Sequence, residues 1–560
     1  MVSGVRGFST AIKDVSRLRA ITGVLIKHGF GAVVTRLSLQ DVIGVKSIMP
    51  YADADAIPYG RGQRIRMAIE ELGPTFTKLG QILSTRSDLV PPDILVELQS
   101  LQDDVPELGF DEIRAQIEAE LGASLEELFL TVDEEPLASA SIAQVHVARL
   151  HEADAFDGDV VIKVQRPNLL SRIDSDLNIL DFLARRAAQM IPELQLMDPV
   201  GIVHEFEKAI RKELDFTNER HNIGRFQVNF EGFEGLRVPR VIERLCTSKV
   251  LTMERMRGVK ITHAPAELSI DPYTVAPRML RALFKMVFQD GFFHGDLHPG
   301  NILIAEDTTI GLIDFGLVGR LTEHQRDHIL DILIGISRND YRLVSRVFFE
   351  LGIKVPGVVY QYEAFEADVI EVMERHIMDK TLSEIDVGAF FADLVNGAIK
   401  HRIQMPPTYT MVFKALMTVE GIGKSLAPGI NFIEEAQPFV REVLLERYSP
   451  RRLVKESVDL LGSMSQFLRV FPTTATHLLR DAERGEIGFK LSVYGLEKAV
   501  ERHTQAQVRV ARALAFAACM VAASLALTAP GPSSLGMSWI SMILFAVGSV
   551  IGLSALRAIP

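Results

Sequence analysis

His294-Gly295-Asp296-Leu297-His298-Pro299-Gly300-Asn301, followed thirteen residues later by Asp314-Phe315-Gly316, sets a base and two oxygen ligands into one short stretch of a 560-residue chain. That order and spacing suit phosphoryl transfer. An Asp at the start of such a loop accepts a proton from an attacking hydroxyl or orients a water, and an Asn five residues on turns back toward Mg2+. Asp314 ends the apolar run Ile310, Leu312, Ile313, so a strand is expected to deliver its carboxylate to the metal bridging the phosphates. Asp296 is thereby the candidate base, and Asn301 and Asp314 the candidate metal ligands, of a site for ATP or ADP with Mg2+. Either string alone is an ordinary turn; together, at this separation, they point to a nucleotide site.

The chain from about Leu125 to Arg320 reads as two lobes around that loop, an α+β architecture. After Pro136, Ala138-Ser139-Ala140-Ser141 runs into a strand over Ile142 to Leu150, a turn at Asp157-Gly158-Asp159, and the strand Val160-Val161-Ile162-Lys163-Val164. Kinases place on such a hairpin the lysine that holds the α- and β-phosphates, which makes Lys163 the candidate. They also put glycines in the preceding loop so that backbone N–H groups lie close over the phosphates. Here Ala138, Ser139, Ala140 and Ser141 stand in their place, and a different nucleotide geometry is expected. A long helix is expected after Asp198-Pro199, carrying Glu205, Glu207, Glu213, Asp215 and Glu219, and composition does not choose among them a partner for Lys163. Val250 to Met256 reads as a strand entering a connection between lobes, with the backbone near Glu254 and Met256 facing the adenine edge.

Upstream, Gln63 to Arg86 looks helical and contains Lys78-Leu79-Gly80-Gln81; downstream, Leu321 to about Val500 is a run of helical patterns beginning almost directly at Thr322. No Ala-Pro-Glu follows Asp314-Phe315-Gly316 at the distance that would build a platform for a peptide. A net charge of −12 argues against a nucleic-acid partner. Only two cysteines, Cys246 and Cys519, far apart in sequence, exclude a disulfide framework.

The two ends differ from the middle. Before Asp41 the charges are Arg6, Lys13, Arg17, Arg19, Lys27 and Arg36 against Asp14 alone, a basic leader over 1–58 that reads as a transit peptide, a helix lying on anionic lipid, or a frayed tail. At the other end, Ala513 to Ala529 and Leu535 to Leu556 are uncharged and mostly apolar, separated by Pro530-Gly531-Pro532-Ser533-Ser534. A transmembrane hairpin is expected, over 509–529 and 535–556, with both ends on the cytoplasmic side because Arg509, Arg512 and Arg557 flank it. Gly548 and Gly552 are spaced to let two such helices approach, a suggestion of a homodimer.

Lys78-Leu79-Gly80-Gln81, the Ala-rich loop running into Ile142-Ala143-Gln144-Val145-His146, Glu213-Leu214-Asp215-Phe216 and the C-terminal apolar hairpin together resemble the UbiB family of atypical kinase-like proteins, in its bacterial branch. The resemblance covers the chain from about Tyr59 onward. It implies a two-lobed atypical protein-kinase-like fold: a helical extension over 59–124, an N-lobe over 125–257, and a C-lobe with a helical region over 258–500. It implies that Lys78 and Gln81 sit on an extension packed over the site, where a protein substrate would otherwise bind, and that Glu213 and Asp215 hold the extension through Lys78. Glu219 becomes the acid paired with Lys163. Prenyl-quinone precursor lipids, the bacterial inner membrane and quinone-biosynthesis enzymes are the implied surroundings, with an ATPase in support of ubiquinone synthesis as the implied activity. Where protein kinases carry a lysine just after the catalytic Asp, this loop has His298-Pro299, and the lost cation predicts slow turnover. The loop is also similar to that of aminoglycoside and choline kinase-like enzymes, so a small-molecule phosphotransferase, a protein kinase and a non-catalytic scaffold stand as alternatives.

Overall fold

Runs of β-branched residues on either side of a left-handed turn build the sheet from which the site hangs. In the computed structural model these are β3 (Ala143–Arg149) and β4 (Asp159–Gln165), joined in one five-stranded sheet with β1 (Thr131–Val132), β2 (Ala138–Ser139) and β6 (Val250–Glu254). β3 pairs antiparallel with β4, Val145 opposite Lys163, and β4 with β6, Lys163 opposite Leu251. The structure describes residues 15–39, 59–84, 90–101, 106–151, 157–191, 198–354, 359–377, 387–447 and 449, with short pieces of the C-terminal stretch at 511, 514–525, 533–534, 537–538, 542–544, 546–547 and 549–550. The chain divides into two compact units, Met1–Leu453 and Val454–Pro560.

Below this sheet a second one, ordered β5-β10-β9-β7, is built from β5 (Leu236–Arg237), β7 (Val259–Lys260), β9 (Ile302–Ile304) and β10 (Ile310–Leu312). β8 (Phe292–His294) pairs with β11 (Val318–Arg320), so the stretches before Asp296 and after Asp314 run side by side.

The helices that bear on the site are α1 (Val15–Lys27), α2 (Arg61–Leu72), α3 (Pro74–Leu83), α4 (Leu169–Met190), α5 (Pro199–Leu214) and α6 (Phe216–Asn229). Further along the chain come α7 (Pro272–Phe284), α8 (Glu323–Ser337) and α9 (Pro407–Leu426). Two of the expected helices are broken. Gln63 to Arg86 divides at Gly73, whose φ of 97° ends α2 while Pro74 opens α3. The helix after Asp198-Pro199 stops at Leu214, and Asp215 caps a new one: its Oδ1 accepts from the Thr217 N–H at 3.0 Å and the Thr217 hydroxyl at 2.7 Å. Glu205, Glu207 and Glu213 therefore ride on α5, and Glu219 rides on α6.

The basic N-terminus is not a detached leader where the structure describes it. α1 buries Leu18 and Ile21, and Arg17 Nε donates to Asp176 Oδ1 at 2.7 Å while Nη2 donates to Asp176 Oδ2 at 3.1 Å and to the Leu72 carbonyl at 2.8 Å. Asp176, on α4, is fully buried, and a buried carboxylate requires such a partner. Among the described residues, Arg17 serves the fold.

The helical run after Thr322 begins as expected: Thr322 and Gln325 form a reciprocal cap on α8. Among the described residues it is interrupted by a small ladder the sequence did not announce, Ile353–Lys354 against Ile403–Gln404. In the C-terminal unit, residues 514–525 are helical, and β14 and β15 of the chain's strand series follow β12 (Ile353–Lys354) and β13 (Ile403–Gln404): β14 (Ser533–Ser534) pairs with β15 (Met537–Ser538). The second apolar stretch thus opens on a strand residue pair, not on a helix, and helical residues follow from 542. Among the described residues no helix is long and apolar enough to cross a membrane, and much of both expected spans lies outside them.

Candidate active site

Lys163 leaves β4 at mid-strand and meets Glu219 in the first turn of α6, with Nζ donating to Oε2 at 2.8 Å and Oε1 at 3.0 Å. Asp314 Oδ2 lies 3.6 Å from the same ammonium. Burial disfavours the charge on Lys163, but Asp314 and Glu219 outweigh it and hold the pKa above the ordinary lysine value. Burial pushes the Glu219 carboxyl up, with Lys163 opposing. Desolvation also works against Asp314, and there the Lys163 charge and the Gly316 N–H, donating to Oδ1 at 2.8 Å, win and hold it at about 2. The outcome is a fixed ammonium between two acids, one of which keeps 45% of its side-chain surface open.

The catalytic loop is tied to this cluster through its first residue. His294 is fully buried; its Nδ1 accepts the Asp296 N–H at 3.1 Å and its Nε2 donates to the Asp314 carbonyl. Burial pushes the imidazole below its ordinary pKa, so the neutral ring bridges Asp296 and Asp314. Asn301 donates Nδ2 to the Asp296 carbonyl at 3.1 Å, which leaves Oδ1 as the atom it would offer a metal. Asn222, one turn beyond Glu219 on α6, donates to the Phe315 carbonyl at 2.9 Å, and the Phe315 N–H points to Glu219 Oε1 at 3.4 Å. One helix thereby fixes both the lysine and the Asp-Phe-Gly backbone.

The expected phosphate loop is half strand. Ala138 and Ser139 form β2, and the Ala140 N–H closes a turn on the Ala143 carbonyl at 2.8 Å. Arg166 clamps this turn, donating to the Ala140 carbonyl at 2.9 Å and the Ser139 hydroxyl at 2.7 Å. The Ser141 hydroxyl is buried and has no hydrogen-bond partner among the described residues, an orphan that a phosphate oxygen would satisfy. At the connection between lobes the N–H groups of Glu254 and Arg255 already donate to the carbonyls of Arg240 and Asp159, at 2.7 and 3.0 Å. The Glu254 carboxylate is buried and paired with Arg237, and it also accepts the Arg240 N–H at 3.2 Å. The Glu254 N–H is thus taken within the protein. The residues present fit MgATP: an ammonium for phosphates, two oxygen ligands, a base and an orphaned hydroxyl.

The sequence matches known protein families. Residues 100–348 match the ABC1 atypical kinase-like domain and residues 370–431 the UbiB helical domain. A "Probable protein kinase UbiB" of Pseudomonas aeruginosa (strain LESB58) is 36% identical over 468 residues, 81% of this chain and 86% of that protein. The protein of the same name from Aeromonas hydrophila subsp. hydrophila is 34% identical over 510 residues, 88% of this chain and 91% of its own length. The chain belongs to the UbiB family. A solved structure, the Rv3197–erythromycin complex from Mycobacterium tuberculosis, overlays at a TM-score of 0.46 with 21% identity, covering 66% of this chain and 93% of that one.

The motif residues that the UbiB resemblance singled out fall in three places. Lys78, on α3, reaches Glu213 Oε1 at 2.6 Å, and its charge helps to hold Asp314 ionised, so the extension does lie at the site. Gln81 lies one turn on from Lys78 and makes no hydrogen bond to these carboxylates among the described residues. Asp215 caps α6 and so positions Glu219. Gly80 has a packing reason: a Cβ there would press on Leu101 Cδ1 and lie 3.3 Å from Ile69 Cδ1. Asn222, Arg166 and His294 were missed as working parts of the site. A carboxylate followed three residues later by an amide on one helix face was the available signal for Asn222.

Proposed function

We propose that this chain is a membrane-attached ATPase that supports ubiquinone or related prenyl-quinone synthesis by handling lipid precursors. The convergence of Lys163, Glu219 and Asp314 beside the Lys78–Glu213 pair carries the nucleotide half of this reading. Lys163, charged and immobilised, holds the α- and β-phosphates. Asn301 and Asp314 would hold Mg2+, which neutralises charge between phosphate oxygens when bound. Asp296 takes the proton of the attacking water. α8 starts at Glu323, directly after β11, so the stretch that would dock a peptide is absent from this part of the chain. That weighs against transfer to a protein, the activity in the relatives' names.

The lipid half rests on the C-terminal unit, whose described helical residues turn large apolar side chains outward: Leu514, Val521, Leu525, Ile543, Val547 and Val550 are exposed. A lipid phase would cover them. Attachment at the bacterial inner membrane with the kinase-like unit in the cytoplasm follows from this reading.

The test is Mg2+-dependent ATP hydrolysis by the full chain in lipid nanodiscs, with and without a phenolic quinone-precursor mimic, using Asp314→Asn as control. Hydrolysis that rises with the mimic and vanishes in the variant is expected. Retained MgATP binding without hydrolysis in any condition would overturn the ATPase reading.

A further inference from the structure

Asp296 has a cation beside it that its own loop does not supply. Lys414 Nζ, from α9, lies 3.5 Å from Asp296 Oδ1. The contact belongs to a packed surface: a Cβ on Gly295 would stand 2.8 Å from Met411 Sδ and 3.0 Å from Leu317 Cγ, so this helix seats directly on the loop at a glycine. Met411 and Lys414, one turn apart, share the face that touches it. Tyr409 pins the start of the helix to α8 through His328 Nδ1 at 3.0 Å, and burial pushes its phenol up to about 12, so the hydroxyl keeps its proton. His298, the other basic side chain near Asp296, has Nε2 3.9 Å from Oδ2, and its Nδ1 is taken up by the Gly300 N–H at 3.0 Å.

We infer that Lys414 is a catalytic residue: it supplies to the transferring phosphoryl group the cation that the sequence His298-Pro299 leaves out of the catalytic loop. A general base lies within about 3 Å of the oxygen it deprotonates, so an ammonium touching Asp296 is within a side-chain swing of the attacked phosphorus. Lys414 is 46% exposed, on a flexible four-carbon stem, and free to make that swing. In the step, the bond from the terminal phosphorus to the bridging oxygen breaks and its electron pair leaves with ADP. The bond to the water oxygen forms, and the water proton passes to Asp296. Lys414 keeps its proton throughout and offsets charge on the equatorial oxygens.

The inference rests on the proposed ATPase reading, and two readouts separate their failures. The full chain, Lys414→Met and Lys414→Arg are compared for MgATP turnover and for affinity toward MgADP alone and MgADP with fluoroaluminate, a mimic of the phosphoryl group in transfer. Lys414→Met should lower kcat about 100-fold, leave KM and MgADP affinity within about 3-fold, and weaken the fluoroaluminate complex at least 10-fold; Lys414→Arg should recover much of both. Unchanged kcat in Lys414→Met with an active parent overturns the role of Lys414 and leaves the ATPase standing. If the parent shows no turnover, the ATPase reading fails, and the fluoroaluminate titration still decides: a weaker complex in Lys414→Met supports the role, equal affinity overturns it.

Discussion

His294 shows how a single side chain can be both structural and tuned. It donates to the Asp314 carbonyl and accepts from the Asp296 N–H only as a neutral ring, and burial lowers its pKa to keep it so. The unfolded chain takes up this proton near pH 6.5, while the folded chain takes it up only at lower pH. Stability from this residue is therefore complete above about pH 6.5. It declines below that, by at most about 1.4 kcal/mol per pH unit, until the folded pKa is reached. His294→Gln should cost most at pH 8, and the difference from the parent should shrink between pH 6.5 and 5 in urea titrations; a pH-independent difference would mean the fold leaves the imidazole pKa where the unfolded chain has it. Lys163 and Glu219 make the complementary case. Lys163→Met strands a buried carboxylate and should cost about 3–5 kcal/mol, part of which Glu219→Gln in the same chain should return, read by denaturant midpoint.

Among the elements, α3 and α6 carry the site. Gly80 lets α3 approach Leu101, so Gly80→Ala should lower stability by about 1–3 kcal/mol through overpacking, seen as a shifted midpoint at constant m-value. No shift would mean α3 slides away freely. What was legible at this scale follows from local chemistry. β3 and β4 announced themselves because Val-rich runs flank Asp157-Gly158, both with positive φ, the turn such a hairpin needs. The Gly73-Pro74 break was written in the sequence and overlooked. The Leu214-Asp215-Phe216 break carries no Gly or Pro, and only the capping oxygen of Asp215 marks it. Asp296, Asn301 and Asp314 were readable because their spacing is local, and Lys163 because it sits in the strand of a β-hairpin. Lys414 and Arg166 were not, because tertiary folding alone brings them to Asp296 and Ala140.

At the scale of the whole molecule, the first unit ties its N-terminal helix into its interior through Arg17 and Asp176, while the second turns apolar surface outward. The full chain should float with neutral-lipid vesicles and resist molar salt, which strips electrostatic attachment; a chain lacking 509–556 should remain in the dense fractions. Release of the full chain by salt would reduce the attachment to surface charge.

The Lys414–Asp296 contact also sets a clock. Its two ends are more than a hundred residues apart, so during synthesis, at ~5–20 residues per second, the catalytic loop leaves the ribosome on the order of ten seconds before the helix that seats on it. On the proposed role of Lys414, full ATP turnover would begin only once the helical region has been translated and docked.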